Sequence, residues 1–322
     1  MQLASGSVYN NIIVNAIDYG DGGRAAFRID GTVAFYGTLT AGASDISLSG
    51  QSTGAATAYG QLTGTNGLML KTPTSAGIFT LTLNNTANAA NNYSGNTTIS
   101  ANTTLALGAA DQIANGVGKG NLIVNSGNFT MGGYSETING LSGNGTIDGV
   151  SGTPTLTVGD NNATTTFSGV IKNTAGTLAL TKTGTGTLTL SGANTYAGAT
   201  TISAGTLSVS GGSAIADTGV VSVSSGAVFN LGASETVGSI AGAGNIALGS
   251  NTLTAGGANS NTTVSGVISG TGALAKTGTG ALTLSGENTY SGATTVSGGT
   301  LAVGGNISSS ALTINTLSLI HI

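Results

Sequence analysis

The feature that most restricts this chain is that it repeats itself. Residues 182–207 read KTGTGTLTLSGANTYAGATTISAGTL, and residues 276–301 read KTGTGALTLSGENTYSGATTVSGGTL. The offset of 94 residues holds from the lysine to the final leucine. A degenerate third copy runs through Leu81-Thr82-Leu83, Asn91-Asn92-Tyr93, Thr97-Thr98-Ile99 and Leu105. The intervening segments match as well: Glu136-Thr137-Ile138 resembles Glu235-Thr236-Val237, and Ser168-Gly169-Val170-Ile171 recurs as Ser265-Gly266-Val267-Ile268. A weaker echo, Gly67 to Thr72, resembles Gly272 to Thr277. Self-similarity at a fixed period marks a repeat architecture, in which each unit buries its apolar face only against its neighbours. The repeat-containing part is read as 60–316. Residues 1–59 share its composition without a clear copy and are read as further turns of the same kind.

A shorter period lies inside the long one. Leu188, Leu207, Val228, Ile246, Val264 and Leu282 are spaced by 19, 21, 18, 18 and 18 residues, which divides the 94-residue repeat into five coils. Each anchor sits in a short alternating stretch such as Thr187-Leu188-Thr189-Leu190 or Leu207-Ser208-Val209. Alternation rich in β-branched residues reads as strand, and the Gly-Asn and Gly-Ser pairs that follow read as turns. No helix-length window has a 3.6-residue apolar period. The expected fold is all-β: a single elongated solenoid whose turns stack at about 4.8 Å, roughly 15–17 of them in a rod of about 70–80 Å.

Composition excludes several function classes. Charged residues are 6% of the chain, Gly contributes 56 of 322 positions, and mean hydropathy is +0.27. That hydropathy supplies a core and argues against disorder, which goes with low hydrophobicity and high charge. Seven Lys plus Arg cannot track a phosphate backbone or form a polybasic membrane patch, so no nucleic-acid partner is expected. With no Cys, disulfides and thiolate metal sites are excluded. There is no apolar run long enough for a transmembrane helix. Met1–Gly6 lack the regions of a signal peptide, and the chain is expected to begin inside a longer one. Leu317-Ser318-Leu319-Ile320-His321-Ile322 departs from the repeat's composition and resembles the translation of a sequencing adapter, so 317–322 is expected to be a non-native tail.

Candidate sites are few. The one histidine, His321, lies in that tail, which leaves no base for a nucleophilic triad and too few ligands for zinc. Asp111, Glu136, Asp148, Asp160, Asp217 and Glu235 are scattered, whereas a polysaccharide lyase or hydrolase, the alternative enzymatic reading, needs them gathered. Glu136 and Glu235 share a repeat slot, which points to a structural surface or turn role. Asp18-Tyr19-Gly20-Asp21-Gly22-Gly23-Arg24 could form a weak calcium loop but is read as a polar turn. Gly184-Thr185-Gly186 lacks phosphate-loop spacing and is read as a solenoid corner. Asn194 and Tyr196, with Asn288 and Tyr290 and with Asn91 and Tyr93, are read as an asparagine bonded to turn backbone and a ring covering the corner. Lys182 and Lys276 are expected to be exposed. Thr181-Lys182-Thr183 and Thr185-Gly186-Thr187 raise ice or crystal binding, but the Thr-x-Thr pattern is irregular. No catalytic, cofactor or metal residue is expected.

The segment from Leu180 to Leu207 closely resembles the autotransporter-associated β-strand repeat, also called the passenger-associated transport repeat. The pattern falls on Leu180, Lys182, Gly184, Gly186, Leu188, Leu190, Gly192, Asn194, Tyr196, Gly198, Thr200, Ile202, Gly205 and Leu207. It recurs at Lys276, Gly280, Leu282, Leu284, Gly286, Asn288, Tyr290, Gly292, Thr294, Val296, Gly299 and Leu301. The resemblance implies a right-handed parallel β-helix of the pectin-lyase type. It also implies a non-catalytic type V secretion passenger at the surface of a Gram-negative bacterium, acting as a stalk or adhesin whose repeats aid translocation and folding. The partners implied are a host surface or sister passengers, and a C-terminal outer-membrane β-barrel translocator that this chain does not contain.

Overall fold

The computed structural model describes residues 2–14, 27–50, 54–72, 77–86, 89–308, 311–315 and 319–321. The possible calcium loop, Asp18 to Arg24, lies outside them. Every regular element among the described residues is a short β-strand, and every strand pair whose register is resolved is parallel. Two compact units divide the chain: residues 1–161 with 168–177, and residues 162–167 with 178–322.

In the first unit the chain visits three faces in turn. The first face stacks Phe27–Ile29, Ile46–Gly50, Leu68–Leu70, Thr97–Ile99, Leu122–Val124 and Leu141–Gly143. The second stacks eight strands from Gly6–Val8 through Phe79–Leu83 and Thr103–Leu107 to Val170–Asn173. On the third, Ile12–Val14, Leu39–Ala41 and Leu62–Gly64 pair, and Glu136–Ile138 pairs with Thr155–Val158. Leu81, Leu105, Phe129, Ile147 and Ile171 follow in register on the second face, all fully buried. The outward positions between them carry mostly Thr, with Ala106, Asn128, Val170 and the Asp148–Lys172 pair. That two-residue alternation is the strand signal of the sequence, realised with the apolar set inward.

The second unit has the same three-faced cross-section. One face holds Thr187–Leu190, Thr206–Val209, Val228–Leu231, Asn245–Ala247 and Ile268–Ser269. The next holds Glu235–Val237, Thr252–Ala255, Ala273–Lys276, Thr294–Val296 and Leu312–Ile314. The last holds Ala179–Lys182, Thr200–Ile202, Val220–Val223, Ser239–Gly242, Thr262–Val264, Ala281–Leu284, Thr300–Val303 and Leu319–His321.

The expected column needs correction in three places. Leu188 and Leu207 do pair in register, but the next inward residue is Phe229; Val228 is half-buried and pairs with the outward Thr206. The column continues through Ile246 to Ile268. Val264 and Leu282 belong to a different face. The true intervals, 19, 22, 17 and 22 residues, vary because corners and loops differ in length while the strands stay in register. Among the described residues the longest sheet has thirteen strands, one per turn, so the turns number about 13 rather than 15–17.

This reassignment changes what the 94-residue repeat means. The second-unit copies begin on different faces: Ala179–Lys182 and Thr200–Ile202 share one sheet, whereas their counterparts Ala273–Lys276 and Thr294–Val296 share another. Ninety-four residues thus span four turns and two further faces, not five whole turns. Three faces of similar width can each accept the same strand sequence.

Candidate functional site

Each strong copy builds a buried polar assembly. Lys182 and Lys276 lie at the inward ends of Ala179–Lys182 and Ala273–Lys276, and each is only 1% exposed. This corrects the expectation of exposed lysines. The strand alternation carries the side chain inside, and the Thr-Gly pair that follows each lysine turns its two carbonyls onto the ammonium. Lys182 Nζ donates to the carbonyls of Thr183, Gly184 (3.0 Å) and, one turn later, Ala204 (3.3 Å). Lys276 Nζ donates to Thr277 (2.5 Å), Gly278 (3.1 Å) and Gly298 (3.1 Å). Three donors meet three acceptors, which compensates the burial of the charge. Desolvation holds both lysines below the ordinary lysine range.

The asparagines stand in for peptide groups where a face has no strand. Asn288 Oδ1 accepts from Ile268 N (2.9 Å), and its Nδ2 donates to Asn306 O (3.0 Å). Asn91 does the same between Leu62 N (2.8 Å) and Gln112 O (2.7 Å). Asn194 Nδ2 donates to Ala214 O (2.7 Å). A carboxamide carries one acceptor and one donor group in the geometry of a peptide, so it continues the parallel ladder through an irregular corner.

Two residues beyond each asparagine, the tyrosine does not cover the corner from outside; it is fully buried. Tyr93, Tyr196 and Tyr290 each share a hydrogen bond with the buried hydroxyl of Thr97 (2.5 Å), Thr200 (2.7 Å) and Thr294 (2.6 Å). Burial raises the phenol pKa of all three.

The repeated glutamates are buried too, not on the surface. Glu136 is 1% exposed and accepts from Gln112 N and Ile113 N at 2.8 Å each. Glu235 accepts from Ala214 N (3.2 Å) and Ile215 N (2.9 Å). Each carboxylate therefore caps the irregular corner one turn before it. Burial pushes Glu136 up to about 8 against the pull of those two amides, with Asp111 adding repulsion. Glu235 is raised for the same reasons, Asp217 adding the repulsion.

Glycines close the corners. At Gly198 and Gly292 an added Cβ would lie 2.3 and 2.2 Å from the carbonyl oxygens of Leu178 and Gly272 in the preceding turn. Gly205 and Gly299 have φ of +63° and +68° beside equally close carbonyls. The inward aliphatics Leu188, Leu190, Ile202, Leu207, Leu282, Leu284, Val296 and Leu301 are all buried. Gly186, Gly280 and Gly286 also lie against carbonyls of the preceding turn, and Gly192 lies two residues beyond the end of the strand Thr187–Leu190.

Sequence reasoning missed Gln112 and Asn139 as parts of this assembly; it placed Thr200 and Thr294 in the repeat pattern without foreseeing their bonds to the tyrosines. Asn139 Nδ2 reaches the carbonyls of Gly116 (3.0 Å), Lys119 (2.9 Å) and Gly120 (3.1 Å). Only the threonines had a visible signal, their fixed spacing four residues after each tyrosine.

The remaining carboxylates do not converge. Asp148 accepts from Thr174 N (2.8 Å) and Thr174 Oγ1 (2.6 Å) and pairs with Lys172 (3.2 Å). Asp111, Asp160 and Asp217 are exposed. Among the described residues no three His, Cys, Asp or Glu side chains come together as a metal site would require, and no helix is long and apolar enough to cross a membrane.

The family model for the passenger-associated-transport-repeat matches residues 180–209 and 274–303. No curated protein and no solved structure matches the chain. The matched segments begin two residues before each buried lysine and end on the strand that follows its carbonyl cage. It is these two segments, each built around a buried lysine and its carbonyl cage, that match the passenger-associated transport repeat.

Proposed function

We propose that the chain is part of an autotransporter passenger: a non-catalytic β-solenoid displayed outside a Gram-negative cell as a stalk or adhesive surface. The observation that carries this reading is the pair of matched repeats, whose polar side chains are spent on joining one turn to the next. Stability that arises between neighbouring turns suits a chain that crosses the outer membrane unfolded and gains structure turn by turn. The absence of cysteine fits the same route, since no disulfide can close a loop during passage. The outward Thr, Ser and Asn columns would then meet a glycan or protein surface, and the repeats would aid translocation and folding.

The test is to place the chain between a signal peptide and an outer-membrane β-barrel in a Gram-negative host. Protease added to intact cells should remove the chain from the surface. Removing residues 180–209 should leave more of it protected in the periplasm. Full periplasmic retention of the parent chain, with the barrel inserted, would reject the reading. Turnover of any substrate in a polysaccharide panel, abolished by changing an exposed acid, would reject its non-catalytic part.

A further inference from the structure

One outward column of the first unit has a chemistry separate from the repeat interior. Val8, Phe35 and Ala58 lie at matching positions on the second face, and each is followed by a tyrosine. The rings of Tyr9 and Tyr36 stack at 5.0 Å between centroids, and those of Tyr36 and Tyr59 at 4.9 Å, both at an interplanar angle of 8°. Tyr9 is 72% exposed and Tyr36 45% exposed; Tyr59 is half-buried. Tyr93, Tyr196 and Tyr290 are fully buried, while Tyr134 is 41% exposed and stacks on no tyrosine among the described residues.

We propose that Tyr9, Tyr36 and Tyr59 form an oxidative cross-linking site, where coupling of adjacent rings staples consecutive turns of the solenoid. The co-reactant is hydrogen peroxide activated by a haem peroxidase. Each of two phenols loses one electron and one proton to become a phenoxyl radical. A carbon–carbon bond forms between their ortho carbons, and the two ortho hydrogens leave as protons while the phenol oxygens regain theirs. The net loss of two hydrogen atoms reduces one peroxide to two waters. Register holds the partner rings about one strand spacing apart, so coupling is intramolecular and favoured by a high effective concentration. The exposure of Tyr9 and Tyr36 lets the oxidant in and leaves their rings room to turn edge to edge. In a chain without cysteine, such a bond is a covalent staple that side chains in this column can supply.

The experiment treats dilute, folded full-length chain with peroxidase and peroxide, then follows dityrosine fluorescence, gel mobility and proteolytic mass mapping. The expected product is monomeric, with Tyr9–Tyr36 or Tyr36–Tyr59 peptides lighter by two hydrogens. Tyr36→Phe keeps the stack's shape but removes the shared partner, leaving Tyr9 and Tyr59 two strand spacings apart, about 10 Å. It should cut the monomeric yield about tenfold or more, whereas Tyr134→Phe should leave it unchanged. Tyr59→Phe should leave only the Tyr9–Tyr36 product, and circular dichroism should be the same for every variant. Dityrosine only in oligomers, mapping to other tyrosines, or an undiminished yield in Tyr36→Phe would overturn the proposal.

Discussion

At the residue scale the interior is polar where the repeat is strongest. The Lys182 and Lys276 ammonium groups, the Asn194 and Asn288 carboxamides and the Glu136 and Glu235 carboxylates all bond backbone groups across turns. Removing one partner of such a bond costs more than the bond's net worth, because the group left behind stays buried. Tyr196→Phe should therefore destabilise the chain by about 1–3 kcal/mol, seen as a lower urea midpoint, by orphaning the Thr200 hydroxyl. Adding Thr200→Val to it should recover part of that loss, and strict additivity would show that the two hydroxyls do not interact. Glu136 gives a pH signature of fixed sign. Its folded pKa, pushed up to about 8, lies above the unfolded value, so the folded state holds more protons between roughly 4.5 and 8. Its contribution is fully present below that window and is lost as pH rises through about 8. The melting temperature should fall over this range, and Glu136→Gln should flatten the fall; an unchanged slope in the variant would place the titration elsewhere.

At the element scale the strands are two-sided, and a one-residue error moves a side chain to the other face. The sequence supports both Val228 and Phe229 as the inward residue, since both are apolar. Register decides for Phe229, which is fully buried between Leu207 and Ile246. Phe229→Ala should cost about 3–5 kcal/mol, and Val228→Ala about 0.5 kcal/mol or less. Reversed magnitudes in urea unfolding would restore the original column. Leu188→Asp should abolish cooperative unfolding, because an unpaired buried carboxylate costs several kcal/mol; a melting temperature equal to the parent's would show that Leu188 does not face the interior. The alternating stretches, the corner glycines and the recurrence of Asn-x-Tyr were all legible beforehand, because each follows from the two-residue strand period or from a fixed spacing. The burial of Lys182 was not. Composition makes a lone lysine look exposed, and only the closing of the Thr183–Gly186 turn around its Nζ reveals the carbonyl cage.

At the scale of the whole molecule, turns are the unit of stability, and a turn is a count of faces rather than of residues. Deleting residues 33–55, one full turn by the pairing of Val33 with Ala56, should leave the far-ultraviolet sheet signal and cooperative unfolding in place. Deleting residues 33–44 removes about half a turn and should abolish both, because later strands would meet the wrong faces. Equal tolerance of the two deletions would refute the register. The sequence by itself determined that the chain is an all-β stack of short parallel strands and that 182–207 and 276–301 are one motif used twice. Local alternation and recurrence at a fixed offset encode both facts, without reference to distant contacts. Only the tertiary structure decided how many turns the motif spans, which face each copy starts on, and which polar groups lie inside. Those depend on corner lengths and on hydrogen bonds between residues about twenty positions apart, which no local pattern records.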